Sequence, residues 1–265
     1  MTKIYTLVNQ KGGVGKTTSA INIGAYLGYF GQKVLLVDMD AQANATSSLG
    51  VDKATVKNGT YEVIIGNAAV QPNILHNPRL KISLLPSSPA LAGAEVELID
   101  MDNRESRLKK ALEPIKDRYD YILIDCPPSL SLLTINGLVA AQDGVLIPVQ
   151  CEYLALEGLG QLTQTIERVK NAMFKDLVVR GVVMTMFDGR TRLAMDVVNE
   201  VRKHFPQKVL DTIVPRSVRI AEAPSYGQPI TVYAPESSAA VAYMALTKEI
   251  LAQDGVNIPE PNGKG

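Results

Sequence analysis

The sequence predicts an α/β fold in which a twisted, mainly parallel β-sheet carries helices on both faces. Three observations predict it. The runs Val34-Leu35-Leu36-Val37 and Tyr121-Ile122-Leu123-Ile124 are apolar at every position, not at alternate ones, which is the pattern of parallel strands covered on both sides. Such runs alternate with helical stretches along the whole chain, which implies right-handed crossovers between parallel strands. Between the first strand and the first helix stands Asn9-Gln10-Lys11-Gly12-Gly13-Val14-Gly15-Lys16-Thr17-Thr18, a glycine-rich turn in the context of a P-loop NTPase.

In chain order, Ile4-Tyr5-Thr6-Leu7-Val8 is the first buried strand. From Ser19 to Phe30, the residues Ala20, Ile23, Leu27 and Phe30 recur at helical spacing. Gly31 stops that helix before a second strand over 32–38. Residues 47–103 are the least patterned part. A short helix at Tyr61-Glu62-Val63-Ile64-Ile65 and a strand at Leu80-Lys81-Ile82-Ser83-Leu84-Leu85 stand among turns marked by Asn58-Gly59, Pro72, Pro78, Pro86 and Pro89. Residues 104–119 read as one helix with charged exposed positions. Further strands cover 121–125, 144–149, 177–186 and 209–214, with a helix ending near Met173 between the second and third of these. No composition shift or repeat divides the chain. The reading is one domain over 1–256 and a polar tail over 257–265, whose two prolines predict fraying.

Composition narrows the function classes. The 265 residues carry 27 basic and 27 acidic side chains, so attraction to nucleic acid must come from a local patch. Cys126 and Cys151 stand singly, as in a reducing compartment. Without a neighbouring histidine, Cys126 reads as apolar filler and not as a nucleophile. His76 has no ligand cluster around it and reads as a surface or capping residue. No apolar run is long enough to span a membrane, and the chain enters its first strand without a signal peptide. The expectation is a soluble cytoplasmic protein.

The glycine-rich turn carries the chemistry. Glycines allow backbone N–H groups to turn inward on phosphate oxygens, and the first helical turn adds unpaired N–H groups and a positive dipole end. The cradle runs through Gly12, Gly13, Val14, Gly15, Lys16, Thr17 and Thr18. Lys16 reaches the β/γ-phosphates and the Thr17 hydroxyl holds Mg²⁺. Asp38 and Asp40 close the second strand, and carboxyl ends of strands are where ligand chemistry gathers in open α/β sheets. Asp125 closes another apolar strand, where a P-loop protein places its second Mg²⁺ contact.

The extra lysine before the glycines is specific. Lys11-Gly12-Gly13-Val14-Gly15-Lys16-Thr17 resembles the deviant Walker A motif of the ParA/MinD ATPases. The likeness covers Lys3 to about Leu251 and is nearest to the ParA/Soj chromosome-partitioning ATPases. Other matching segments are Asp125 to Leu130, Gln150-Cys151-Glu152-Tyr153, Ala155-Leu156-Glu157-Gly158-Leu159 and Glu222-Ala223-Pro224-Ser225-Tyr226-Gly227. The resemblance implies an ATP-bound sandwich homodimer in which Lys11 reaches the partner's phosphates. It implies that Asp40 positions or activates the attacking water and that Asp38 supports the Mg²⁺ hydration shell. It implies nucleotide contact by Glu152 across the dimer. Pro215-Arg216 matches the segment that packs on adenine, so Arg216 is open between nucleotide and DNA.

The resemblance further implies nonspecific binding to double-stranded DNA, placing the protein on the nucleoid, and hydrolysis stimulated by a ParB-type centromere-binding partner. Arg190 and Arg219 carry the DNA role by motif, with Lys203, Lys208 and Lys248 completing the candidate set. A solvated charged surface is the plainer reading of those cations from the sequence itself. Rival classes are a MinD-like membrane ATPase, a nitrogenase iron-protein relative and an ATP-dependent synthetase. The tail Ile258-Pro259-Glu260-Pro261 cannot form an amphipathic anchor, and no cysteine precedes Asp125 to bridge an iron–sulfur cluster.

Overall fold

The computed structural model describes residues 1–257. The tail expected to fray lies, apart from Asn257, outside the described residues. The strands are β1 (Lys3–Leu7), β2 (Val34–Asp38), β3 (Leu75–Asn77), β4 (Ile82–Leu85), β5 (Tyr121–Asp125), β6 (Gly144–Gln150), β7 (Val179–Phe187) and β8 (Val209–Pro215). They form an eight-stranded sheet in the order β3-β4-β2-β5-β1-β6-β7-β8. Every pairing is parallel except that of β3, which runs antiparallel on the edge of β4. Helices fill the connections: α1 (Lys16–Tyr29), α2 (Asn44–Ser48), α3 (Thr60–Ile65), α4 (Leu91–Glu97), α5 (Arg107–Leu112), α6 (Leu132–Ala140), α7 (Ala155–Ala172), α8 (Arg192–His204), α9 (Val218–Glu222), α10 (Ile230–Tyr233) and α11 (Ser238–Gln253).

The continuously apolar strands divide their side chains between two cores, because successive residues of a strand point to opposite faces. Leu36, Leu123, Leu146 and Val183 face α1 and α11. On the reverse face, Leu35, Val37, Ile122 and Ile124 pack with α3, α4, α5 and α6, while Val145, Ile147, Val182 and Met184 pack with α7 and α8. All twelve are fully enclosed, and burying each aliphatic side chain contributes roughly 1.5–3 kcal/mol.

Two sequence expectations change. The helix expected over 104–119 is only α5, Arg107–Leu112, followed by a 3₁₀ turn at Lys116–Arg118. Pro114 is the cause: it has no N–H to donate and its ring crowds the carbonyl one turn back, so the helix ends although Glu113 before it is still helical. The sequence pattern also gives no sign of β3, whose three residues are too few to show a period. His76 lies on that edge strand, with Nδ1 3.2 Å from Ser83 Oγ, a surface position as expected.

Candidate functional site

Three adjacent strands, β2, β5 and β1, bring their carboxyl ends together. Asp38 and Asp125 are register partners, and Leu7 of β1 is the register partner of Asp125 on its other side. The glycine-rich turn springs from β1 immediately beyond this point.

That turn is pinned from two strands. Asn9 Nδ2 donates to the Pro148 carbonyl at 2.7 Å and Asn9 Oδ1 accepts from Lys11 N at 3.0 Å. Thr185 Oγ1 donates to the Val14 carbonyl at 2.8 Å. Gly13 and Gly15 sit at φ +76° and +90°, a left-handed conformation that only glycine adopts without strain. Gly15 is also the residue from which α1 starts, so the unpaired N–H groups of that helix open onto the turn. Lys16 is buried and curls back so that Nζ donates to the Lys11 carbonyl at 3.2 Å. Burial lowers its pKa, and the charges of Asp125 and Asp40 oppose that shift.

The carboxylates differ sharply in their partners. Asp38 is wholly buried and fully engaged: Oδ1 accepts from Asp40 N (3.2 Å), and Oδ2 accepts from Thr46 N (2.8 Å) and Thr46 Oγ1 (2.7 Å). Burial nevertheless raises its pKa to about 6, the hydrogen bonds pulling the other way. Asp125 is equally buried, but neither of its oxygens has a hydrogen-bond partner among the described residues. Burial and the neighbouring Asp38 charge push its pKa well above the usual carboxylate range; the nearby Thr17 hydroxyl and Lys16 favour its ionised form without satisfying it. An orphaned carboxylate with a hydroxyl beside it is a hard-oxygen donor set suited to Mg²⁺.

Asp40 stands just past β2 and is steadied rather than buried alone. Its Oδ1 accepts from Gln42 N at 2.9 Å, and its carbonyl accepts from Ser87 Oγ at 2.8 Å. Ser87 N in turn donates to Thr46 Oγ1 at 2.9 Å, and Thr60 Oγ1 donates to the Asp38 carbonyl at 2.7 Å. Thr46, Thr60 and Ser87 thus form a buried hydroxyl scaffold under both aspartates, and Asn9 and Thr185 do the same for the glycine turn. The sequence reading gives none of the five a role. Their only signal is polarity inside otherwise apolar surroundings, which is visible once burial is known.

Lys11 forms an ion pair through Nζ with Glu152 Oε1 of its own chain, at the mouth of the turn. Gly12 is exposed, and a Cβ built on it meets nothing within 4 Å among the described residues. The chain after Pro215 folds back over the start of α1: a narrow groove is lined by Thr17, Thr18, Asn22, Ile220, Ala223 and Pro224, and Ile230 N donates to Asn22 Oδ1 at 2.8 Å. Pro215 ends β8, and Arg216 N donates to the Phe187 carbonyl at the end of β7 at 2.9 Å. A cavity of about 430 Å³ lies elsewhere, between α3 and α5.

The candidate DNA residues fall into separate places. Arg190, in the turn after β7, and Arg219, on α9, share the carboxyl end of the sheet with Arg216 and the glycine turn. Lys203, in the last turn of α8, and Lys208, just before β8, lie at the amino end, roughly 20 Å away by the length of a seven-residue strand. Lys248, on α11, lies over the Phe30 ring, on the opposite face from α8. Arg190 and Arg219 are each held by a carboxylate, Asp188 and Glu222 respectively.

A glycine turn between β1 and α1, with carboxylates ending the two strands beside it, defines a P-loop NTPase of the mainly parallel α/β class. The AAA domain (AAA_31) family model matches residues 2–179, and the chain belongs to that family and, within it, to the ParA/Soj chromosome-partitioning proteins. It is 52% identical over 252 residues to the sporulation initiation inhibitor protein Soj of Bacillus subtilis (strain 168), covering 95% of this chain and 99% of that one. It is 49% identical to the chromosome partitioning protein ParA of Myxococcus xanthus (strain DK1622), covering 97% and 90%. Among solved structures, cobyrinic acid a,c-diamide synthase from Mycobacterium smegmatis with bound ADP and magnesium superposes with a TM-score of 0.85 at 36% identity over 98% of each chain. The septum site-determining protein MinD from Pyrococcus horikoshii, complexed with Mg-ADP, gives 0.78 at 27% identity over 96% and 98%.

Proposed function

We propose that the protein is an ATP-dependent DNA-partitioning ATPase: an ATP-bound sandwich dimer binds DNA nonspecifically, and hydrolysis stimulated by a ParB-type partner releases it. The observation that carries the reading is Asp125, buried with both oxygens unsatisfied beside Thr17 and Lys16. A fold does not keep such a group without a ligand to meet it, since an unpaired buried carboxylate costs stability. Nucleotide- and magnesium-bound relatives of the same fold support ATP and Mg²⁺ as that ligand, and the partition proteins at about half identity support the biological setting.

In this reading Thr17 and Asp125 hold Mg²⁺, which when bound neutralises charge on the β/γ-phosphates. Lys16 faces those phosphates from inside the turn, and the N–H groups of Gly12 to Thr18 cradle them. Asp40 orients the attacking water from a loop that Asp38, Thr46 and Ser87 hold still. Asp38 supports the metal's hydration shell only from behind, because its own oxygens are occupied by protein donors. Lys11 leaves Glu152 to reach the phosphates of the second subunit. Lys11 is exposed and Glu152 partly so, and ion pairs at the surface are worth about 0–1 kcal/mol, so this exchange costs little. Glu152, once freed, faces the partner's nucleotide. Pro215 and Arg216 serve the adenine side.

Arg190 and Arg219 meet DNA phosphates on the dimer; Lys203, Lys208 and Lys248, on other surfaces, add to the wider field. The test is a competition titration with DNAs of different sequence over a salt series, with ATP and with ADP. The proposal expects ATP-dependent, sequence-indifferent binding that weakens steeply with salt, each neutralised phosphate adding roughly −0.9 to the log–log slope. Arg190→Glu or Arg219→Glu should abolish it while dimerisation persists. The synthetase reading, to which the cobyrinic acid synthase likeness belongs, expects no ATP-dependent shift.

A further inference from the structure

Both arginines assigned to DNA are already paired. Arg190 Nε and NH2 donate to the two oxygens of Asp188 at 2.8 and 2.6 Å, and Arg190 N also donates to Oδ1 at 3.1 Å. Arg219 NH1 donates to Glu222 Oε2 at 3.1 Å, and the same oxygen accepts from Tyr233 OH at 3.0 Å. In each pair the carboxylate lies beneath the cation: side-chain exposure is 22% for Asp188 against 87% for Arg190, and 39% for Glu222 against 62% for Arg219. Arg216 adds its charge to Asp188 from the end of β8, and the arginines together hold that carboxyl down to about 2, so it stays ionised throughout the physiological range.

A carboxylate in that position has two physical effects. It cancels much of the cation's attraction for a polyanion, and it takes guanidinium N–H groups that a phosphate would use, a whole bidentate edge in Arg190 and one N–H in Arg219. It leaves the outer edge exposed, so contact is weakened and not blocked. The ion pairs themselves add little to folding, since exposed pairs contribute little stability.

We propose that Asp188 and Glu222 are built-in brakes on DNA binding, underlying carboxylates that hold the affinity of Arg190 and Arg219 for phosphate low enough for the dimer to let go. The inference rests on the DNA-binding reading and deepens it. A partitioning protein that binds any sequence must dissociate when its nucleotide changes. The brakes keep the contact shallow, so that losing the dimer, and with it half the cations, is enough for release.

The experiment is a DNA-binding titration of the wild-type protein, Asp188→Asn and Glu222→Gln, each with saturating ATP and Mg²⁺, over a salt series, with the dimer fraction measured by sedimentation and matched. Both substitutions remove charge while keeping an oxygen to accept from the arginine. Each variant dimer is expected to bind about three- to thirtyfold more tightly near 0.1 M salt, with a log–log slope steeper by up to ~0.9 per subunit. Equal or weaker binding with an unchanged slope in both variants overturns the proposal, since a purely positional role would lower affinity without steepening the salt response. If the wild-type protein shows no ATP-dependent binding, the DNA-binding reading itself fails and the brake falls with it.

Discussion

Asp38 and Asp125 stand side by side in register at the carboxyl ends of β2 and β5, both without solvent exposure, yet among the described residues one accepts three hydrogen bonds and the other none. The pair separates a structural role from a ligand-binding one. Asp38→Asn puts a donating NH2 where one oxygen accepts from Thr46 or from Asp40 N, leaving that donor facing a donor, and should destabilise the protein by about 1–3 kcal/mol. Asp125→Asn breaks no protein hydrogen bond and relieves repulsion, so the nucleotide-free protein should be as stable as wild type or more so. The wild type should gain about 2.7 kcal/mol from MgATP at a hundredfold excess over Kd, a gain the Asp125 variant should lack. Denaturant unfolding with and without MgATP measures both; equal losses in the two variants would refute the division.

Lys16→Ala removes the cation that the fold buries against the turn at a desolvation cost. Productive nucleotide binding should disappear while the protein stays folded. Calorimetric titration with ATP checks this, and unchanged affinity and turnover would sink the phosphate-loop assignment.

Asp40→Ala should retain ATP binding and lose hydrolysis, trapping a dimer. Its backbone anchors are carbonyl and N–H contacts that alanine keeps. Light scattering on the ATP-bound variant decides: a monomer, or normal turnover, would show Asp40 to be misassigned.

Gly12→Val tests the face of the turn. A Cβ there meets nothing within 4 Å among the described residues and Gly12 is not in the left-handed region, so unfolding midpoints should match the wild type within about 0.5 kcal/mol. ATP should still bind, but sedimentation should show no dimer, because only a second chain can supply the clash. A normal ATP-dependent dimer would contradict this.

The far end of the sheet makes a separate, pH-dependent claim. Tyr5 and Tyr121 donate to Asp254 at 2.6 and 2.9 Å, where Arg180 also pairs at 2.8 Å. Burial, then Asp254, raises both phenol pKa values, and Tyr26 and Tyr243 are pushed up to about 12, chiefly by burial. A raised folded pKa gives stability that is complete below the unfolded value, near 10, and is lost as pH climbs above it. Phenolate absorbance from these residues should appear together with loss of helical circular dichroism above about pH 10. Their titration at ordinary values in a folded protein would refute the network.

The sequence was legible where one element sufficed to set the environment. The glycine turn, Lys16, Asp38, Asp40 and Asp125 all stand at strand ends, and the continuous apolar runs announce two-sided burial. The rest depends on distant partners. Thr46, Thr60 and Ser87 are ordinary polar residues until the sheet encloses them around Asp38. Helix α6 is buried at most of its positions, and α11 buries one face but carries apolar residues such as Val241 on its exposed side, so neither offers the sequence contrast that marks an amphipathic helix. Lys203, Lys208 and Lys248 resemble Arg190 in sequence context and are separated from it only by the direction of α8 and the side of the sheet that α11 covers.

The measurement that tests the central claim most directly is the mass of the protein–DNA complex by light scattering, with MgATP and with MgADP. The account expects dimers retained on DNA of any sequence with ATP, and free monomers with ADP. A protein that remains monomeric with ATP, or that holds DNA equally well with ADP, would contradict it.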